Sequence, residues 1–428
     1  MSVSSPSGRR LGAAVLGYLV VATLLITWAP FDFATVPRHG LTSLWTWSDV
    51  VLNVVMFLPL GFLFEVARSR AGRSVSWRRA LLDAAGAGAL LSLVIEAGQL
   101  FLAGRYTSPV DVATNTAGAV IGALALRAVR PRLLVDSGTV RALALDVPLA
   151  GVIVLLVPLV WTGALGQADP GRLALFWLLA ITVGVLIGSV HGSYLAAATR
   201  GSTLMAAAAA AAWLLISALP ALLRVGTAGG RWLVLGACLL ASALAAQRSA
   251  TCARARARDG AQRVETAALR LAMPPFAAYV TISALWPLTS VDGLWRAAWT
   301  LAPAAESLSR GLILESLAHL AAFTVVGYVT AEWHGRIDGR FVEAWPRVLR
   351  RVAPLAILLE WARGWNATLG ASVALCALAL LSGLFGGWLY HLQRAHVQAL
   401  RARPRTPSVA AQRASSSSAP VAVGSATT

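Results

Sequence analysis

The sequence predicts an all-α, polytopic integral membrane protein of about twelve transmembrane helices. Three observations carry that prediction. The 428 residues are 57% hydrophobic and only 13% charged, where a soluble chain carries about 25% charged residues. Mean hydropathy is +0.70, and apolar runs near the roughly 20 residues that cross a bilayer recur along most of the chain. The remaining charges fall mostly between those runs.

Taken in order, candidate helices cover residues 11–30, 50–67, 81–102, 111–127, 147–166, 173–190, 203–223, 232–247, 266–287, 312–331, 352–363 and 367–392. The first run follows Arg9 and Arg10, as a signal peptide would. It reaches Pro30 without an Ala-x-Ala cleavage site and eleven more runs follow, so it reads as an uncleaved span. The eleventh run is short, and either begins earlier, near Trp345, or lies tilted or half-inserted.

All 36 basic residues are arginine, set against 18 acidic ones, for a formal net charge of +18. The arginines punctuate the apolar runs rather than lining one face, which marks topology determinants and not a nucleic-acid surface. With the N-terminus inside, the inner segments hold 28 arginines and the outer loops 8, so both termini are expected inside. An all-arginine, alanine-rich chain fits a GC-rich bacterial genome, so the expected location is a bacterial cytoplasmic membrane. Cys238, Cys252 and Cys376 stand far apart without a CxxC pair, so neither a disulfide framework nor a zinc motif is expected.

The expected units are residues 1–134, a central four-helix region at 135–262, a third unit at 263–400, and a Ser/Ala/Pro-rich disordered cytoplasmic tail at 401–428. The central helices carry almost no polar residues and read as scaffold.

Ionisable residues inside spans are costly and each needs a reason. The second helix carries Asp49, Asn53, Phe57 and Gly61 at four-residue spacing, hence on one face, with Pro59 between. The third carries Ser92, Glu96 and Gln99 on one face, Arg105 follows in a short loop, and the fourth opens with Asp111, Asn115, Gly118 and Gly122. The arginine count puts Asp49, Asn53, Glu96, Gln99, Arg105, Asp111 and Asn115 at one depth, near the outer interface. Plainer roles stand beside a binding role. Either aspartate suits a helix N-cap, the asparagines suit interhelical hydrogen bonds, and Arg105 suits a pair with Glu96 or Asp111.

These residues fill an Asp-x3-Asn-x3-Phe-x-Pro-x-Gly helix, a Ser-x3-Glu-x2-Gln-x-Phe helix ending in Phe101, an arginine, and an Asp-x3-Asn-x2-Gly-x3-Gly helix. In that pattern the chain resembles the VanZ-like family over residues 11–130, although it is longer than the usual four- or five-helix members. The resemblance implies a membrane fold with a polar site, and a link to low-level resistance to teicoplanin-type lipoglycopeptides.

A second occurrence of the pattern is expected at 266–392, as a parallel internal repeat of the four-helix unit. Glu315, His319, Phe323 and Gly327 repeat the four-residue spacing, and Glu360 parallels Glu96. Gly383 and Gly387 are matched to Gly118 and Gly122, Cys376 to Asp111 and Leu380 to Asn115. Without the aspartate and asparagine this second site is altered or inactive, or else a pH-sensitive one through His319.

Three functions fit. The outer site captures a membrane lipid headgroup, a lipid-linked envelope precursor or a lipoglycopeptide. Alternatively the chain is a transporter built from two parallel repeats, although transporter sites usually sit at the bilayer midplane and this one is shallower. The third option is an enzyme acting on a lipid-linked substrate with Glu96 as general acid or base. The sequence shows no P-loop, GxGxxG, HExxH or Ser-His-Asp arrangement, so no cofactor or metal is expected.

Overall fold

The computed structural model describes residues 6–29, 31–37, 40, 46–68, 76–102, 105–134, 149, 151–165, 174–195, 203–224, 229–258, 264–291, 293–299, 310–334 and 340–401. Among these are twelve α-helices: α1 (Pro6–Trp28), α2 (Trp47–Arg68), α3 (Trp77–Gln99), α4 (Pro109–Leu134), α5 (Val157–Leu165), α6 (Phe176–Val190), α7 (Thr203–Arg224), α8 (Gly229–Arg258), α9 (Val264–Ala284), α10 (Arg310–His334), α11 (Phe341–Arg363) and α12 (Val373–Arg401). Each corresponds to one predicted run. The eleventh begins at Phe341, well before residue 352, because its first half is an arginine-rich helical face that hydropathy alone passes over. The tail, apart from Arg401, and residues 135–148 lie outside the described residues.

Eight of the described helices are long and apolar enough to cross a membrane. α9 is diluted by Glu265, Arg270, Pro274 and Pro275, and α11 by its arginines and glutamates, while α5 and the apolar part of α7 are shorter. Outward faces are apolar: Leu82, Leu90, Leu93, Leu240 and Leu381 are each more than half exposed. A water-facing surface of that kind would aggregate, whereas lipid accepts it. Exposed tryptophans stand at helix ends, at Trp47, Trp77 and Trp361, as in an interfacial aromatic belt.

The core sits on two helices. The apolar stretch of α6 is 72% buried and that of α10 61%, against 28–44% for the other six spans. Three times along the chain the second and fourth helices of a group of four pack most extensively: α2 on α4, α6 on α8, α10 on α12. Each time the fourth also packs on the third. Glycine sets these contacts. A Cβ on Gly61 would overlap the Ala119 carbonyl, one on Gly188 the Ala246 carbonyl, and one on Gly327 the Gly383 carbonyl. Small residues let helix backbones approach where lipid offers no hydrophobic drive to bring them together. The first helices behave differently. Against the second helix of each group, α1 packs on α2, but α5 packs on α10 and α9 on α6, so the central and C-terminal groups exchange these contacts, while α5 also keeps α7 of its own group. The central region is thus built into the core with the C-terminal group.

Loops tie the helix ends. Phe33 and Leu102 form an antiparallel bridge, and so do Val291 and Asn366. Two-residue strands β1 (Ala297–Ala298) and β2 (Ala371–Ser372) pair in parallel, with Ala298 opposite Ser372.

Candidate functional site

Ser108 opens α4, its hydroxyl accepting from Val110 N at 3.2 Å. Its own backbone N–H donates to Glu96 Oε2 at 2.9 Å, and the Thr107 hydroxyl donates to the Glu96 carbonyl at 3.2 Å. Glu96 is 4% exposed, near the end of α3, with Thr107 and Ser108 bonded to it just ahead of α4. A buried carboxylate held by a backbone N–H is a fixed, charge-assisted acceptor.

Around it the other polar residues pair across helices. Asn53 on α2 donates through Nδ2 to Asp111 Oδ1 on α4 at 2.8 Å. Asn115 donates through Nδ2 to Ser92 Oγ on α3 at 2.9 Å, and its Oδ1, in a residue 2% exposed, has no hydrogen-bond partner. An unmatched buried acceptor costs on the order of 1–3 kcal/mol and asks for a donor. Gln99 Nε2 reaches the Thr27 carbonyl at 3.4 Å, and Arg105 Nη2 the Ile26 carbonyl at 3.3 Å. Both therefore hold the end of α1 over the cluster, and Trp28 Nε1 adds a bond to the Ile95 carbonyl at 3.1 Å.

Six of the seven predicted residues, Asn53, Glu96, Gln99, Arg105, Asp111 and Asn115, thus bond within or around the junction of α1, α2, α3 and α4. Asp49 is engaged elsewhere. Its Oδ2 accepts from Thr46 N at 3.0 Å and from Thr46 Oγ1 at 2.7 Å, while Asp49 N donates back to Thr46 Oγ1 at 3.3 Å. That is a capping box on α2. Asp111 is not the cap of α4; Ser108 is. Arg105 reaches the end of α1, and the Glu96 carboxylate accepts from the Ser108 backbone N–H.

Sequence reasoning passed over Thr107, Ser108 and Trp28, whose roles depend on a loop and a helix end. It also passed over a second polar cluster at the other end of α2. Glu65, 3% exposed, takes Arg68 at 2.8 Å and Arg127 at 3.2 Å, and Arg68 also holds Asp83 at 2.6 Å. Glu65 continues the four-residue spacing of Asp49, Asn53, Phe57 and Gly61, which is the signal that could have found it.

In the C-terminal group, Ser372 N donates to Glu360 Oε2 at 2.8 Å, twelve residues after its glutamate, as Ser108 is after Glu96. Gly386 meets the Thr324 carbonyl as Gly122 meets that of Leu58. The register is therefore one residue off the sequence match: Leu375 stands at the Asp111 position, Ala379 at the Asn115 position, and Gly386 rather than Gly387 at that of Gly122. Arg363 takes the register place of Gln99 and donates to the Ala284 carbonyl at 2.9 Å, at the end of α9. It also ion-pairs with Glu315 and lies 3.4 Å from Glu360. Among the described residues no three His, Cys, Asp or Glu side chains gather as a metal site would need.

Helices of this length and apolarity, with a buried carboxylate cluster among them, describe a multi-pass membrane protein. Residues 12–130 match the family model described as VanZ/LLP1, and this N-terminal unit, under a third of the chain, is VanZ-like. No curated protein and no solved structure matches the chain.

Proposed function

We propose that the N-terminal unit binds the polar head of a membrane lipid, a lipid-linked envelope precursor or a lipoglycopeptide at the outer membrane interface. The carrying observation is the buried Glu96 carboxylate, fixed by Ser108 N, together with the partnerless Oδ1 of Asn115, whose Nδ2 bonds Ser92 four residues before Glu96 on α3. Together they present acceptors to the hydroxyls, amides or ammonium of a head group. The outer placement rests on the arginine bias, with twelve spans and both termini inside. In this reading residues 1–134 form the binding unit, 135–262 the central region and 263–400 a second VanZ-like unit in the same orientation.

The likeness of the Glu96–Ser108 and Glu360–Ser372 bonds supports the parallel repeat. It also favours a second reading, a transporter whose two units rock about these sites. Native mass spectrometry of the purified chain tests the binding reading. A co-purified lipid or precursor, lost in Glu96→Gln, is the expected result. Empty protein from several lipid backgrounds would count against it.

A further inference from the structure

Two carboxylates, one guanidinium and one imidazole meet in the C-terminal group. Glu315 and His319 lie on α10, Glu360 and Arg363 on α11. Arg363 pairs with Glu315 and approaches Glu360, while His319 Nε2 lies 3.2 Å from Glu360 Oε1. The side chains of Arg363, His319 and Glu360 are 2%, 4% and 7% exposed, and Glu315 is the open member at 17%. Glu315 and His319 line a cleft with Leu159, Tyr279, Ser283 and Phe323, about 340 Å³ of empty space counting its mouth.

Hydrogen-bond donors decide the proton count. His319 Nδ1 is 3.0 Å from the Glu315 carbonyl. A carbonyl only accepts, so Nδ1 carries the hydrogen. A neutral ring then has a bare lone pair on Nε2, facing a carboxylate oxygen. Neither His319 Nε2 nor Glu360 Oε1 makes a hydrogen bond, to the other or to any further group. Two bare acceptors at that distance repel each other. Charge points the same way: with His319 neutral, two carboxylates against Arg363 leave one net negative charge in a buried cluster, which is expensive. One added proton removes both problems.

We propose that the His319–Glu360 pair is a proton-binding site, joined through Arg363 to Glu315 at the cleft mouth. The proton enters from water beside Glu315 and is held by one or other member of the pair; its release leaves the cluster with one negative charge. Among the described residues, the other titratable groups facing the pair are Tyr279 on α9 and Cys376 on α12, the latter within electrostatic reach of Glu360. In the N-terminal unit the matching positions hold Asn53 and Glu96, with no imidazole, so the device belongs to the C-terminal group alone. It does not depend on the N-terminal site binding any ligand.

The test uses the full chain in lipid nanodiscs with ¹⁵N-labelled histidine, near neutral pH. The expected His319 signal is either an imidazolium or a ring protonated on Nδ1 whose Nε2 accepts from a protonated carboxyl. A His319 bearing its only proton on Nε2 overturns the proposal, because Nε2–H to an ionised Glu360 is then an ordinary hydrogen bond. Infrared pH-difference spectra should contain a one-proton step that vanishes in both His319→Gln and Glu360→Gln and survives in His191→Gln and His391→Gln. Persistence of that step in Glu360→Gln also overturns it. Should either variant fail to fold, the ¹⁵N measurement on the unaltered chain still decides.

Discussion

At the residue scale, Asp49 and Glu96 set a capping carboxylate beside the one proposed to bind a ligand. Asp49 closes a capping box with Thr46, so Asp49→Ala should cost about 1 kcal/mol of stability. Thermal unfolding in detergent should record that loss while native mass spectrometry finds ligand retention unchanged. Glu96→Gln keeps an oxygen for Ser108 N, so the loop should stay closed and expression near normal. Ligand affinity should fall about tenfold or more, the scale of a lost charge-assisted hydrogen bond. Glu360→Gln, in the other unit, should leave that affinity in place. A Glu96→Gln chain that retains its lipid and fully complements a knockout would reduce the cluster to interhelical glue.

At the scale of elements, glycine against a carbonyl fixes which helices meet. Gly61 lies on Ala119 and Gly327 on Gly383, with no room for a methyl between the backbones. Gly61→Ala and Gly327→Ala should each destabilise by roughly 1–3 kcal/mol through overpacking, seen as a lowered midpoint and a broader size-exclusion peak. Gly17 and Gly86 have open space at the same atom, so Gly17→Ala and Gly86→Ala should leave both readings near those of the native chain. Equal damage from all four would mean that flexibility, and not close approach, explains these glycines.

For the whole molecule, the arginine bias predicts sidedness. In a cysteine-free background, a cysteine at Tyr106 should react with a membrane-impermeant reagent in intact cells, and one at Arg79 only after lysis. Labelling of the Arg79 position in intact cells would invert the topology and move the Glu96 cluster to the inner face. The exchange of α5 and α9 between groups gives the architecture a further consequence: the C-terminal group cannot be cut away without stripping α6 of a neighbour.

Composition and period were enough to establish the membrane class, twelve helical runs and the polar faces of α2, α3 and α4, because hydropathy and the 3.6-residue turn are local properties of the chain. The motif residues from Asp49 to Gly122 carried the resemblance to the VanZ-like family over residues 11–130, and the family model matches residues 12–130. Tertiary structure decided which polar groups meet. Asn53 finds Asp111 58 residues away, Arg105 finds Ile26 79 residues away, and Asp49 turns back to its own helix end. Helix rotation and loop closure set those pairings, and both depend on glycine contacts between distant segments. The one-residue register in α12 and the exchange of α5 and α9 arise in the same way, from packing between helices that no local window of the sequence contains.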